Sequence, residues 1–194
     1  AFPCLVAEDG RPAAPPNLEA AVRAADLLRR ELGLAITQVN APSLTCTATL
    51  PMLARAGATH GEPGHALTGT TPLHAVTDQP ELPAMLYLTE VSHTYGGRAY
   101  AYGGGSYPRG HMRRALVGTA LRPASLQRPA AENIDYYLTL DDPQARVGEP
   151  VIAAFRTQAF VARANLALLE GVQAGAPRLA GLFDRANQPL DLGI

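Results

Sequence analysis

Residues 84–102, AMLYLTEVSHTYGGRAYAY, decide the fold of the second half of this chain. Ala84–Tyr95 and Arg98–Tyr102 alternate or run apolar, with a Gly-Gly pair between them. Short runs of this kind, separated by Gly and Pro, are typical of β-strands. Similar runs follow at Asn133–Leu140, Pro150–Ala164 and Leu166–Gly171, and the one candidate helix lies at 109–117. We predict a β-barrel or sandwich of short strands over residues 81–194.

The first 80 residues have a different pattern, in which helices and strands alternate. Leu18, Val22, Ala25, Leu28 and Leu32 recur at helical spacing between a capping Asn17 and Gly33. The predicted order is a strand at 1–7, a helix from Asn17 to Gly33, a strand at Leu34–Val39, a helix around Thr47–Ala56 and a strand from Thr59. This order is that of parallel βα units, which predicts an α/β region with a boundary near Pro80–Glu81.

Composition excludes several classes of function. The chain has 194 residues and a net charge of −1, with no basic run that would suit a nucleic-acid backbone. No apolar stretch approaches the length of a membrane span. Cys4 and Cys46 form no disulfide framework, so a reduced, cytoplasmic protein is expected. The chain begins without Met on a run that resembles a buried strand, and we expect it to be part of a longer protein.

A candidate site lies where two predicted strands end in polar sequence, at Asn40–Thr45 and Glu62–Thr71. Ligands of βα proteins bind at the carboxyl ends of the strands. The Ser43 hydroxyl, the backbone after Gly64 and the nearby Thr68 hydroxyl are suited to a phosphate. The alternative is that Ser43 caps a helix and Gly64 serves a turn.

Each of the other candidate residues has two interpretations. Glu62 could hold a proton on a ring nitrogen or act as an acid or base, but it could also be an ordinary exposed carboxylate. Tyr102, beside a glycine triplet, could project its hydroxyl into a site or belong to the core. Arg156 suits a substrate carboxylate or a solvated edge. The spacing of the histidines in 57–74 matches no zinc pattern, and no metal is predicted.

Three segments carry a resemblance to a known family. They are Asn40-Ala-Pro-Ser-Leu-Thr-Cys46, Gly61-Glu-Pro-Gly-His-Ala-Leu-Thr-Gly69 and Glu90-Val-Ser-His-Thr-Tyr-Gly-Gly-Arg-Ala-Tyr-Ala-Tyr-Gly-Gly-Gly105. The chain resembles the alanine-racemase-like, fold-type III enzymes that depend on pyridoxal 5′-phosphate (PLP), most closely the YhfX-type members. The resemblance covers essentially the whole chain.

The resemblance implies a fold. Residues 1–80 would be the last βα units of a PLP-binding TIM barrel, and residues 81–194 would be a C-terminal β-domain. The family's Schiff-base lysine lies on the first strand of that barrel, upstream of this chain. All 16 basic residues of the chain are arginines, which is consistent with a missing lysine-bearing segment.

The resemblance also implies roles for individual residues. Ser43, Gly64 and His65 would hold the PLP phosphate, with Thr68 beside them. Glu62 stands where racemases have an arginine at the pyridine nitrogen. A carboxylate there favours the protonated ring and makes the cofactor a stronger electron sink. Tyr102 would be the catalytic tyrosine supplied across a dimer.

The implied activity is that of an amino-acid racemase or epimerase, which abstracts the Cα proton of the external aldimine, the amino acid joined to PLP. The implied partners are a small-molecule amino acid, whose carboxylate Arg156 would bind, and a second copy in a homodimer. The chain alone would be inactive, because it lacks the lysine. The alternatives are a PLP-dependent lyase or decarboxylase on the same scaffold, and a non-catalytic module that binds a phosphorylated ligand.

Overall fold

A computed structural model of the chain describes residues 11–13, 16–42, 44–74, 76–103, 112–127, 137–154 and 164–191. In this part of the chain three helices precede eight strands. The helices are α1 (Pro16–Leu32), α2 (Leu50–Arg55) and α3 (Gly64–Leu67). The strands are β1 (Tyr87–Tyr95), β2 (Arg98–Tyr102), β3 (Arg114–Val117), β4 (Arg122–Leu126), β5 (Tyr137–Asp141), β6 (Pro150–Ala153), β7 (Leu166–Glu170) and β8 (Arg178–Phe183).

Six of the strands close into a barrel in the order β1-β2-β5-β4-β3-β6, and every pair is antiparallel. The two-residue alternation of the sequence positions the side chains. In β2, Ala99 and Ala101 point into the barrel and are at most 1% exposed, whereas Tyr100 and Tyr102 lie on the outer face. Closure removes the unpaired edges of the sheet, so none of these six strands needs a further partner.

The barrel encloses the larger hydrophobic core of the described residues. Val91, Val117 and Val151 approach zero exposure at its centre, with Leu138 and Leu140 beside them. Small alanines on β2, β3 and β6 leave room for these larger side chains, as the narrow interior of a six-stranded barrel requires.

The predicted first helix is present with the expected end. α1 stops at Leu32, and Gly33 follows with φ of +62°, a backbone conformation that glycine adopts without steric cost. The Arg23 and Glu19 side chains form the expected ion pair at 3.6 Å. The helix starts at Pro16, so Asn17 lies inside the first turn rather than at the cap, because proline is favoured there.

The predicted fold class, a PLP-binding TIM barrel followed by a β-domain, is wrong. In the described part of the first 80 residues there are three helices and no strand, and an isolated parallel bridge joins Asn40 to His60. A barrel strand needs a hydrogen-bonded neighbour on both sides, and residues 34–39 have no such pairing among the described residues. The architecture is mostly β, a closed six-stranded barrel with few helices.

The strands of the second half are predicted unevenly. β2 has the predicted bounds, and β1, β5, β6 and β7 fall within or across the predicted runs. The candidate helix at 109–117 is wrong where the chain is described, because Arg114–Val117 is strand β3. Its Ala115 and Val117 point inward between β4 and β6, so pairing overrides the local sequence.

Candidate functional site

Two polar segments distant in sequence lie side by side before the barrel. The Ala41 N–H donates to the His60 carbonyl at 2.9 Å, and the Thr59 N–H donates to the Val39 carbonyl at 2.9 Å. The Thr59 hydroxyl also accepts a hydrogen bond from the Val39 N–H at 2.8 Å. Asn40 and His60 form the parallel bridge between the segments. The polar residues that follow each segment are therefore brought to one place.

Thr45 joins these two segments through its side chain. Its hydroxyl accepts a hydrogen bond from the Glu62 N–H at 3.0 Å and donates to the Ala41 carbonyl at 3.2 Å. A Cβ atom at Gly61 would lie 2.7 Å from both the Cγ2 and Oγ1 atoms of Thr45. Glycine at position 61 is therefore what allows the second segment to approach so closely.

Glu62 is the exposed carboxylate at this junction. The Asn40 side-chain amide donates to its Oε1 atom at 2.6 Å, a short bond of the kind that a charged acceptor makes. Its backbone is held at the same time by the Thr45 hydroxyl. Glu62 is thus held at its backbone by Thr45 and at one carboxylate oxygen by Asn40, while the residue remains exposed to solvent.

The next turn, α3, contains the predicted phosphate-binding residues. A Cβ at Gly64 would meet nothing within 4 Å, so its surface is open. The Thr68 and Thr70 hydroxyls lie 2.7 Å apart, and the Thr68 hydroxyl donates to the His65 carbonyl at 3.1 Å. The N–H of the buried Thr70 also donates to the His65 carbonyl, at 2.9 Å, and this hydrogen bond stabilises the turn. These contacts shape the turn, and its role in binding phosphate stays a prediction.

The remaining predicted residues are distributed differently. Ser43 and Arg156 lie outside the described residues. Tyr102 lies at the end of β2 on the outer face of the barrel, 49% exposed. Its carbonyl accepts a hydrogen bond from the Tyr87 hydroxyl at 3.2 Å. Among the described residues, no hydrogen bond or ring contact joins Tyr102 to Glu62 or to α3, so the structure does not bring these candidates together.

Tyr102 lies at the margin of a group of aromatic rings on that outer face, which the sequence analysis missed. The His93 ring stacks on Tyr100 with centroids 4.6 Å apart and planes 2° from parallel. Tyr137 meets His93 edge-on at 4.9 Å, and Tyr102 lies 5.9 Å from Tyr137. The group draws its members from β1, β2 and β5. The strand alternation of Tyr100 and Tyr102 was a visible signal, whereas the position of His93 depends on the register of β1.

A second missed constellation connects the helical part to the start of the barrel. The Glu81 carboxylate accepts from the Thr47 N–H at 2.7 Å and approaches His74 Nε2 at 3.6 Å. His74 is buried and also bonds the Thr71 hydroxyl at 2.7 Å. Burial raises the pKa of Glu81, but hydrogen bonds from Thr47 outweigh burial and leave that pKa below its ordinary value.

The third polar group is a clamp formed by one arginine and two carboxylates beside the barrel. Arg122 donates to both Glu149 oxygens, at 3.2 and 2.7 Å, and to Asp142 at 3.1 Å. These hydrogen bonds lower the pKa of Glu149 and raise that of Arg122. A pocket of about 450 Å³ adjoins the clamp. The Arg122 guanidinium already binds two carboxylates. The clamp therefore stabilises the fold and is a poor site for an anion.

The described residues allow two further findings. No group of three or more His, Cys, Asp or Glu side chains in these ranges is arranged to hold a metal ion. The helices in the same ranges are too short or too polar to cross a bilayer.

The donor set at the junction fits PLP in its chemistry. A carboxylate held by an amide is a suitable partner for a protonated ring nitrogen, and an open glycine followed by hydroxyl groups is suitable near a phosphate. Glu62 would hold the ring, and Gly64, His65 and Thr68 would lie near the phosphate. The lysine for a Schiff base would come from outside this chain, which contains none.

Comparison with known proteins shows what the chain is similar to. Residues 86–179 match the family described as YhfX-like, C-terminal domain. Over 195 aligned residues the chain is 43% identical to the Escherichia coli (strain K12) protein named "Uncharacterized protein YhfX". Both matches support the YhfX-type family.

The match to the YhfX-like domain covers the barrel and reaches the first residues of β8. The alignment with Escherichia coli YhfX includes 97% of this chain but only 50% of that protein. The chain thus spans about half the length of the curated relative that it matches. The activity, substrate and partners of a full-length YhfX-type protein are therefore taken up as proposals.

Proposed function

We propose that the full-length protein is a PLP-dependent, racemase-like enzyme acting on a small amino acid, and that this chain contributes Glu62 as the partner of the cofactor ring nitrogen. The observation that carries the proposal is the hydrogen bond from the Asn40 amide to the Glu62 carboxylate at 2.6 Å. It joins the two polar segments that the sequence analysis selected for a ligand. The YhfX-type match agrees with the YhfX-type part of that resemblance.

The placement of Glu62 is suited to holding a proton on a ring. Its backbone is fixed by Thr45 and one carboxylate oxygen is bound by Asn40, so little side-chain freedom is lost when a ligand binds. An anionic oxygen aimed at a pyridine nitrogen stabilises the N–H⁺ form by a charge-assisted hydrogen bond. Bound PLP would supply the electron sink for carbanion chemistry at Cα.

The turn after Glu62 is suited to the phosphate end of the cofactor. Gly64 has no atom within 4 Å of the position that a Cβ would take, which leaves space for a ligand against the backbone. The Thr68 and Thr70 hydroxyls lie six and eight residues after Glu62 and are hydrogen-bonded to each other. Their spacing from the carboxylate supports a ligand that is anionic at one end and protonated at the other.

The residue that moves the Cα proton is proposed to be Tyr102, acting in the site of a partner subunit. Its exposure on the outer face of the barrel supports a role between subunits, because an exposed phenol is accessible to a second chain. The proposed homodimer and the amino-acid substrate belong to this same hypothesis.

The substitution Glu62→Gln tests the proposal. It keeps the size of the side chain and removes its charge, so PLP binding by the full-length protein should weaken by about tenfold to a hundredfold, since a hydrogen bond to a charged group contributes about 1.5–3 kcal/mol. The visible absorption band of bound PLP should also change its pH dependence. Both are measured by spectrophotometric titration with PLP.

The control is Glu90→Gln, the same change at an exposed residue of β1. It should leave the titration as it is in the unmodified protein. A full-length protein that binds no PLP would refute the proposed function, and a Glu62→Gln variant identical to the control would remove Glu62 from the cofactor site.

A lyase or decarboxylase on the same scaffold is the second candidate, and the specific observation that favours it is the carboxylate itself. Racemases of the resembling family have an arginine there, whereas Glu62 keeps the ring protonated and stabilises a carbanion more strongly. Product analysis with a panel of amino acids separates the outcomes. An inverted Cα centre indicates a racemase, and loss of CO₂ or of a side-chain group indicates the alternative.

A further inference from the structure

A β-bulge in β1 determines where His93 points. Val91 is opposite Ala101 on β2, but the next aligned pair is His93 with Tyr100, so Ser92 is an extra residue in the strand. Val91 faces the core at 1% exposure. Without the extra residue, His93 would point into the barrel as Val91 does, because it lies two positions after Val91 on the same strand. The bulge instead aims His93 outward beside Tyr100, and bulges of this kind are frequent next to functional sites.

The inserted Ser92 also determines which nitrogen of His93 carries the hydrogen. The Ser92 hydroxyl donates to the Tyr100 carbonyl at 2.9 Å, and its oxygen lies 2.9 Å from His93 Nδ1. A hydroxyl has one hydrogen, and a carbonyl can only accept it. Both bonds therefore form together only if Nδ1–H donates to the serine oxygen. The neutral imidazole is then the Nδ1–H tautomer, with a lone pair on Nε2.

The aromatic rings around this imidazole suit an ammonium group. The ring is held flat on Tyr100 at 4.6 Å and contacts Tyr137 edge-on at 4.9 Å, with Tyr102 beyond it. One neutral imidazole and three phenol rings carry no formal charge. Aromatic faces attract cations, and an imidazole nitrogen with a lone pair accepts an N–H bond. A carboxylate would find neither attraction here.

We propose that this outer face, defined by His93, Tyr100, Tyr102 and Tyr137, binds the ammonium group of an amino acid through a hydrogen bond to His93 Nε2. The identity of the ligand as an amino acid rests on the proposed function, whereas the tautomer and the accepting nitrogen rest on the geometry alone. Ser92 is a positioning residue, which acts only by holding the imidazole in the accepting form.

The first measurement is nuclear magnetic resonance of the full-length protein with ¹⁵N-labelled histidine. We expect His93 to be protonated on Nδ1 at rest and its Nε2 signal to move when a panel of L- and D-amino acids is added. Trimethylglycine carries the cation without an N–H donor, and propionate carries the carboxylate without an ammonium. Neither should move the Nε2 signal as an amino acid does.

Substitutions test the same assignment through affinity. His93→Asn, whose amide is too short to reach the Nε2 position, should weaken amino-acid binding about tenfold. His93→Gln places a carbonyl near the Nε2 position and should recover most of that loss. Ser92→Ala should bring a mixture of tautomers and a loss of about twofold to fivefold. Ser125→Ala, the same change at an exposed position of β4, is the control.

The outcomes separate the two proposals. A resting Nε2–H tautomer, or a Nε2 signal that no amino acid moves, overturns the His93 assignment even if PLP binds. If the protein binds PLP in the titration but the His93 signals do not change, the proposed function remains supported and the His93 assignment is overturned. If amino acids move the Nε2 signal of a full-length protein that binds no PLP, the outer-face site is supported and the proposed function is refuted.

Discussion

Gly61 and Gly64, three positions apart, have opposite surroundings. At Gly61 a side chain would collide with Thr45, whose hydroxyl is committed to bonds with two backbone groups. At Gly64 a side chain would meet open space. The first glycine is thus needed for the fold, whereas the second is available for a ligand.

The substitution Gly61→Ala should therefore destabilise the full-length protein by about 1–3 kcal/mol, because overpacking against Thr45 forces the two segments apart. Gly64→Ala is the matched control and should leave stability almost unchanged while it weakens PLP binding. Denaturant unfolding and PLP titration provide the two readouts. Equal stability of the two variants would contradict the packing argument, and equal PLP binding would remove Gly64 from the phosphate site.

The part of the site that sequence could predict is the part carried by local chemistry. The amide–carboxylate pairing of Asn40 and Glu62 joins two segments already marked as polar strand ends. The orientation of His93 was not predictable, because two-residue alternation leaves the face open until the register is known. One inserted residue, Ser92, changes that register.

At the scale of elements, the clamp of Arg122 joins β4 to the chain that leads into β6. Arg122 forms two bonds with Glu149 and further bonds with Asp142, which follows β5. The Arg146 N–H adds a bond to Glu149 at 2.9 Å. Several charge-assisted bonds on one carboxylate favour its ionised form, which accounts for the lowered pKa of Glu149.

We predict that the stabilisation which the clamp gives to the folded state is lost in acid. Because the pKa of Glu149 is lower in the folded state than its ordinary value of 4.5, its contribution is present above that value and is lost as pH falls through the folded pKa. Glu149→Gln should lower Tm at neutral pH and reduce the further fall in Tm between about pH 5 and pH 3. Thermal unfolding across this range measures both.

The control for the clamp is Glu90→Gln, because Glu90 is exposed and has no ion pair among the described contacts. Its acid profile should follow that of the unmodified protein. If Glu149→Gln follows the same profile, the clamp contributes nothing to acid stability.

Strand β3 shows why the helix predicted at 109–117 was wrong where the chain is described. Ala115 and Val117 alternate with Arg114 and Leu116, but four residues are too few for a pattern to separate strand from helix. Pairing with β4 on one side and β6 on the other decides the matter. β4 follows β3 after only four residues, whereas β6 begins 33 positions after β3 ends, so no local window contains both partners.

At the scale of the molecule, the hairpin of β7 and β8 differs from the barrel. Every residue of β7 is exposed, with Leu168 at 49% and Leu169 at 53%, although apolar residues occupy both of its faces. A two-stranded hairpin is marginally stable in water unless something packs against it. Among the described elements its strands pair only with each other.

We predict that amide hydrogens of β7 and β8 exchange faster in the full-length protein than those of β1, β2 and β5. The barrel strands have partners on both sides and a buried face, so they open only in large unfolding events. Hydrogen exchange followed by mass spectrometry measures the difference. Protection of the hairpin equal to that of the barrel would show that another part of the protein or a second copy covers it.

Sequence by itself determined the features that depend on near neighbours: helix α1 and its stop at Gly33, the alternation of β2, the absence of lysine and the polar ends at Asn40 and Glu62. Only the tertiary structure decided the order of strands in the closed barrel, the lack of parallel strands in the described part of residues 11–80 and the outward turn of His93. The physical reason is range. Periodicity acts over a few residues, whereas pairing and register depend on which distant segments meet, and a single inserted residue reverses the face on which a side chain lies.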